Sequence, residues 1–194
     1  MTVQSVAQIG NPILRNKAKL VKDIFDPRVQ SLINDMLATV IKEDGVGIAA
    51  PQLSHPLRIF IMASRPNARY PYAPTMQATA IINPKIIWKS EQLEKDWEGC
   101  LSVPNIRGVV PRHQKIKVSY TTQDNSLVET HFDGFLARIF QHEYDHLEGL
   151  VFIDRVESTQ ELMAESEWKK RILGASKAHG KKTKSSNRDD DCRA

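Results

Sequence analysis

His142-Glu143-Tyr144-Asp145-His146 sets two imidazoles four residues apart. On a helix that spacing puts both on one face, about 6 Å apart, where they reach a single metal ion with the Glu143 carboxylate beside them. The pentapeptide alone is weak ground, since composition produces it by chance in about one chain in two hundred of this length. Two exposed or core-satisfied histidines are the plain alternative, and a third ligand decides between the readings. The extended zinc-protease pattern needs a histidine at position 152, where Phe152 stands. Two sources remain. Glu165, farther along the chain, would make an HExxH endopeptidase. Cys100, in Glu98-Gly99-Cys100-Leu101-Ser102, would supply a thiolate, a strong ligand for divalent metals, in a chain whose other cysteine is Cys192. Cys100 is preferred over Glu165, and over its own reading as an inert buried thiol. Three protein ligands leave one position for water, whose pKa falls toward about 7 on the metal, as in a hydrolytic site.

These residues need elements to hold them. Asp133 placed to cap, then Phe135, Leu136, Ile139, Phe140 and Leu147 at helical spacing, and Gly149 to terminate, predict the helix that carries the two histidines. Asp26-Pro27 followed by Val29, Leu32, Ile33, Met36, Leu37, Val40 and Ile41 predicts a second amphipathic helix, stopping near Gly45. Apolar or alternating runs predict strands over Leu57 to Met62, Ala80 to Trp88 and Ile116 to Thr122, the last with a partner near Leu127 to Phe132 across a turn at Asp124-Asn125. Ser64 to Thr75, rich in proline and tyrosine, is a loop placed to border a substrate groove. Ser158-Thr159-Gln160-Glu161 resembles a capping box opening a last helix through Ile172. The expected class is α+β, mostly antiparallel sheets packed around a central helix that carries the HExxH motif. Between the first helix and first strand lies Gly45-Val46-Gly47-Ile48-Ala49-Ala50-Pro51-Gln52. Its small residues let another backbone approach, and Gln52 offers an amide donor. Alone it reads equally as a helix-to-strand turn.

With 194 residues, 41% hydrophobic and 26% charged, the chain is expected to form one soluble domain plus a tail. No apolar run suits a signal peptide or a membrane span, which predicts a cytoplasmic address and no membrane partner. Of the net charge of +4, the stretch from Lys169 to the C-terminus supplies nine Lys or Arg less three Asp, or +6, leaving the body at −2. The composition predicts a catalytic domain over residues 1–172 and a basic, disordered tail over 173–194.

Three segments in this order, Gly45 to Gln52, Glu98 to Ser102 and Gln141 to Gly149, resemble the signature motifs of peptide deformylases. The similarity extends through Pro104 to Arg112 and Asp133 to Arg138, and spans residues 5 to 172. The resemblance implies a hydrolase that removes the N-formyl group from the initiator methionine of newly synthesised polypeptides, releasing formate. It implies Cys100, His142 and His146 as ligands of one divalent metal. Ferrous iron is the family's physiological metal, where ligand chemistry alone leaves zinc equally open. It implies Glu143 as the proton carrier, with the Gln52 amide and the Leu101 N–H meeting charge on the formyl oxygen. Gly45, Val46 and Gly47 are expected to pair with an extended peptide, while Val46, Phe135 and Ile139 line a methionine pocket. For Phe135 and Ile139 a core role is equally open, and Arg107 is either at the pocket edge or solvated. The tail could touch the ribosome, since nascent chains would be the substrate; a ribosome- or RNA-associated module with a structural metal is the non-catalytic rival.

Overall fold

The computed structural model describes residues 2–174. Helix α1, Pro27–Lys42, starts where Asp26 accepts a hydrogen bond from the Arg28 N–H, and proline sits in its first turn, where no helical donor is lost. Its apolar stripe of Val29, Leu32, Ile33, Met36 and Val40 is buried, whereas Ile41 at the end of the stripe is exposed. The chain then enters β1 (Gly47–Ala49), a 3-10 turn (Ala50–Leu53) and β2 (Ile59–Met62). All four residues of β2 are buried, because α1 covers one face of its sheet and a second helix covers the other. The strand starts at Ile59; Leu57, two residues before it, instead makes an isolated bridge to Lys19.

Strands β3 (Thr79–Lys89), β6 (Lys115–Thr121) and β7 (Leu127–Asp133) complete a five-stranded antiparallel sheet in the order β1-β2-β3-β6-β7. Asn125, in the turn between β6 and β7, takes φ 66°, as the Asp124-Asn125 pair predicted. A second sheet joins β4 (Leu93–Cys100), β5 (Val103–His113) and β8 (Leu162–Ala164), antiparallel throughout. The sequence reading missed the short strands β1 and β8 and the longer β4 and β5. In β4 Glu94 to Asp96 is charged and exposed, and Pro104 and Pro111 interrupt the β5 run, so neither of these two carries the alternation of a half-buried strand.

Helix α2 (Gly134–Leu147) lies between the sheets. Phe140 is fully buried and meets Phe60 of β2 edge to face at 5.1 Å, with Phe132 and Tyr144 also against it. Asp133 precedes the helix as expected but makes no side-chain cap. It is still paired with Lys115 as the last residue of β7, and Gly134 at φ 49° makes the bend. At the other end Gly149 takes φ 77°, and a Cβ there would lie 2.7 Å from the Arg15 carbonyl oxygen.

The last helix is shorter than predicted. Ser158 caps only a 3-10 turn, Thr159–Glu161; β8 follows, because Leu162 is needed against β5 and its small cluster around Phe152. Helix α3 is Glu165–Trp168, continued by a π-helical turn, Lys169–Leu173. Of the tail foreseen over 173–194, residues 175–194 lie outside the described residues. Replacing Phe140 by alanine should remove about 3–5 kcal/mol of stability, read as a lower urea midpoint at unchanged m-value.

Candidate metal centre and active site

One helical turn of α2 presents His142 and His146 with ring centroids 5.2 Å apart. The end of β4 brings Cys100 to the same place, its Sγ 3.2 Å from His146 Nε2. The thiol and the two imidazoles offer three ligand atoms within 4.8 Å of one another. A tetrahedral cation with thiolate and imidazole ligands spaces its donors about 3.5 Å apart, so this donor set fits one divalent ion of borderline softness. Glu165 is not part of it: its Oε1 accepts from Arg107 and Lys169.

Behind the donors stands a buried ionic network. His142 Nδ1 meets Glu98 Oε2 at 2.8 Å, which turns the other ring nitrogen toward the sulfur. Glu98 also accepts two hydrogen bonds from Arg112 and one from Arg138, each 2.9 Å long. Arg112 reaches on to Asp145, one residue before His146, and Arg155 closes the Asp145 carboxylate from outside. Burial opposes the charge on Glu98, but the Arg112 pair outweighs it and holds the carboxyl well below its ordinary range. Burial likewise opposes a Cys100 thiolate. The charge of His146 and hydrogen bonds from both imidazoles overcome it, and hold the thiol well below its usual value in the form that binds a cation.

Glu143 lies on the inner side of the same helix, 4% exposed, with its Oε2 buried and free of any hydrogen bond. Burial pushes its carboxyl up to about 7, against the pull of the two histidines. Gly47 is packed so closely that a Cβ there would meet Glu143 Oε1 at 2.5 Å, which explains a glycine in this strand. The buried Gln52 side chain is held at both ends. Its Oε1 accepts from the Ala49 N–H at 2.8 Å, and its Nε2 lies 3.1 Å from Ser102 Oγ and 3.4 Å from Cys100 Sγ.

These groups face one cavity of about 510 Å³. Gly45, Val46 and Gly47 form part of one wall, and Leu101 lines it beside Cys100. Phe135 and Ile139 line it too while packing with the core cluster that contains Phe140, so a place in the core and a place in the cavity wall are not exclusive. Arg107 is at the cavity edge but not solvated: it is 3% exposed, donates to the Tyr70 hydroxyl at 2.9 Å, and lies 4.6 Å over the Trp168 ring. The loop at 64–75 borders the groove through Arg69 and Tyr70. Sequence reasoning singled out neither Tyr70 nor the roles of Glu98, Arg112 and Asp145. Their pairings join residues 10 to 44 positions apart, and no local pattern encodes them.

A family model described as polypeptide deformylase matches residues 3–162. A protein of a Nostoc species, named peptide deformylase 2, is 54% identical over 167 residues, covering 86% of this chain and 93% of its own length. A peptide deformylase 2 of Shewanella oneidensis is 47% identical over 161 residues, covering 82% of this chain and 88% of its own. Among solved structures, a Met-Ala-Ser-bound class I type b peptide deformylase from Acinetobacter baumannii superposes with a TM-score of 0.78 at 45% identity, over 80% of this chain and 99% of that one.

Glu98→Gln keeps an acceptor for His142 but removes the charge that balances Arg112. Its affinity for a divalent metal should fall about 10–100-fold, measured by competition with a chelator. Parent-like affinity would mean that His142 is oriented without the carboxylate.

Proposed function

The chain belongs to the polypeptide deformylase family, enzymes that hydrolyse the N-formyl group from newly made polypeptides, and we propose that its metal is held by Cys100, His142 and His146 while Glu143 moves the protons. The observation that carries this reading is the convergence of three ligand atoms and one unpartnered buried carboxylate oxygen beside a single cavity. When bound, the cation supplies Lewis acidity, making water a better nucleophile near neutral pH and drawing charge from the formyl oxygen. Ferrous iron is the proposed ion. The thiolate in the donor set supports a borderline metal, iron or zinc, and the family resemblance favours iron.

The residues then divide the work. Glu143 accepts a proton from the attacking water, and its carboxyl, raised to about 7 by burial, suits a group that must both take and return a proton. As the C–N bond breaks, Glu143 delivers that proton to the leaving nitrogen, and formate and a free amino terminus result. The Gln52 Nε2 and the Leu101 N–H are the donors that meet charge on the carbonyl oxygen. Gln52 suits that task because both ends of its amide are already fixed, so little reorganisation is needed in the transition state. Val46, Phe135 and Ile139 receive the methionine side chain. The Gly45–Gly47 backbone pairs with the extended peptide, a reading supported by the position of β1 at the end of its sheet. That the Acinetobacter structure holds Met-Ala-Ser supports a methionyl peptide as occupant here.

Residues 1–172 are the proposed catalytic unit and 173–194 a basic tail, with a cytoplasmic address among nascent chains. Among the described residues no helix is long and apolar enough to cross a membrane. The charge of +6 from Lys169 onward supports contact with ribosomal RNA. Such contact should appear as cosedimentation with ribosomes that weakens as salt rises; none, or salt-independent binding, would remove it.

Anaerobically purified protein should release formate from formyl-Met-Ala-Ser, and Glu143→Gln should retain metal while losing at least about a hundredfold in kcat. A metal-loaded parent that releases no formate would overturn the activity, and an active Glu143→Gln would overturn the role of Glu143. Exposure to air should inactivate an iron-loaded enzyme through the metal and Cys100; full activity after prolonged aerobic handling counts against iron.

A further inference from the structure

The segment from Thr2 to Ile9 belongs to no helix or strand, yet it is bonded first to α1 and then to two turns that line the site. At its start, the Thr2 N–H donates to Asp35 Oδ1 at 2.6 Å, and Gln4 bonds Thr39 through its backbone and Asp35 through its side chain, all on α1. Val6 packs against the core beneath that helix. The Ala7 N–H then donates to the Gln52 carbonyl at 2.7 Å, and the Ile9 N–H to the Ser102 carbonyl, also at 2.7 Å.

Gln52 and Ser102 lie 50 positions apart in the chain, and their side chains meet as well. Ala7 and Ile9 are separated by a single residue, so their N–H groups can stand at most about 7 Å apart. The arm therefore sets an upper limit on the separation of two turns that no continuous secondary structure joins. Gln52 sits in one of these turns, and Leu101 immediately precedes Ser102 in the other.

We propose that the arm Thr2–Ile9 is a positioning strap for the two oxyanion donors. The N–H groups of Ala7 and Ile9 hold the Gln52 turn and the Cys100–Ser102 turn at a fixed spacing, so that Gln52 Nε2 and the Leu101 N–H converge on one oxygen. Ala7 and Ile9 act through other residues and touch no substrate in this scheme. The inference rests on the reading of Gln52 and Leu101 as the donors for that oxygen. Such donors work only when held to within about 0.5 Å, and their alignment matters most where charge has developed, in the transition state. Loosening the strap is therefore read in kcat rather than in KM.

The test replaces Ala7 and Ile9, in the full chain, by their α-hydroxy acid analogues, which remove each N–H and keep the side chain; Ala7→Pro removes one of the same donors by ordinary mutagenesis. For formyl-Met-Ala-Ser, kcat should fall about tenfold with KM changed by less than about twofold, at parent metal content and an unchanged thermal midpoint. Ala7→Gly and Ile9→Val, which keep both donors, should restore parent kcat. The strap is overturned if the hydroxy acid variants keep parent kcat, or if kcat, metal content and thermal midpoint fall together in all variants. Gln52→Ala is measured alongside. If it loses kcat while the hydroxy acid variants do not, the strap alone fails; if Gln52→Ala itself keeps parent kcat, the oxyanion reading fails and the strap with it.

Discussion

A single buried carboxylate, Glu98, ties the two halves of this molecule together. It stands on β4, two residues before Cys100, and accepts hydrogen bonds from Arg112 on β5 and from Arg138 and His142 on α2. The thiol comes from one sheet and the imidazoles from the helix between the sheets, so nothing in the backbone ladder alone fixes their separation. The ionic network does. Ion pairs buried this deeply gain little net stability over a packed apolar core, but removal of one member leaves an uncompensated charge and costs about 3–5 kcal/mol. Such a cluster is therefore sensitive to geometry, and its geometry is that of the three ligand atoms.

The same helix must also be gripped by apolar contacts, because it offers ligands on one side and core on the others. Phe140 is enclosed by Phe60, Phe132 and Tyr144, which leaves His142, Glu143 and His146 with little freedom to turn. Glu143 sits where desolvation opposes its charge while the neighbouring histidines favour it. The close approach of Gly47 excludes any side chain that would displace its carboxylate. A carboxyl poised near neutrality is the outcome of these opposed effects, and follows from burial more than from any one partner.

Around this centre the fold uses short, irregular pieces as fasteners. The 3-10 turn after β1 aims Gln52 inward, and Ser102 receives the Gln52 amide from across the site. Arg107 gathers Tyr70 from the 64–75 loop, and Glu165 and Trp168 from α3, onto one guanidinium, closing one edge of the cavity with segments far apart in sequence.

What the sequence determined by itself was the local chemistry. Two histidines at helical spacing with a glutamate between them, a lone cysteine away from the tail, and an apolar stripe on each helix are all patterns of near neighbours. Helical and strand periodicity suffice to read such patterns, and the central helix and four of the five strands of the larger sheet followed from them closely or in part; β1 was read as a turn. Strands β4 and β5 escaped because their pairing, not their composition, makes them strands: proline and charge obscure the alternation, and their stability comes from each other and from β8. The last helix was read too long because Leu162 gains more from packing beside β5 than from continuing a helical turn. Arg107 stayed open between the pocket edge and solvent because no sequence pattern announces Tyr70, Glu165 and Trp168 as its partners. The tertiary structure alone decided how close Cys100 stands to the two histidines, which carboxylate turned His142, and which loops met at the cavity. Each depends on contacts between residues tens of positions apart, and only the closed chain brings those contacts into being.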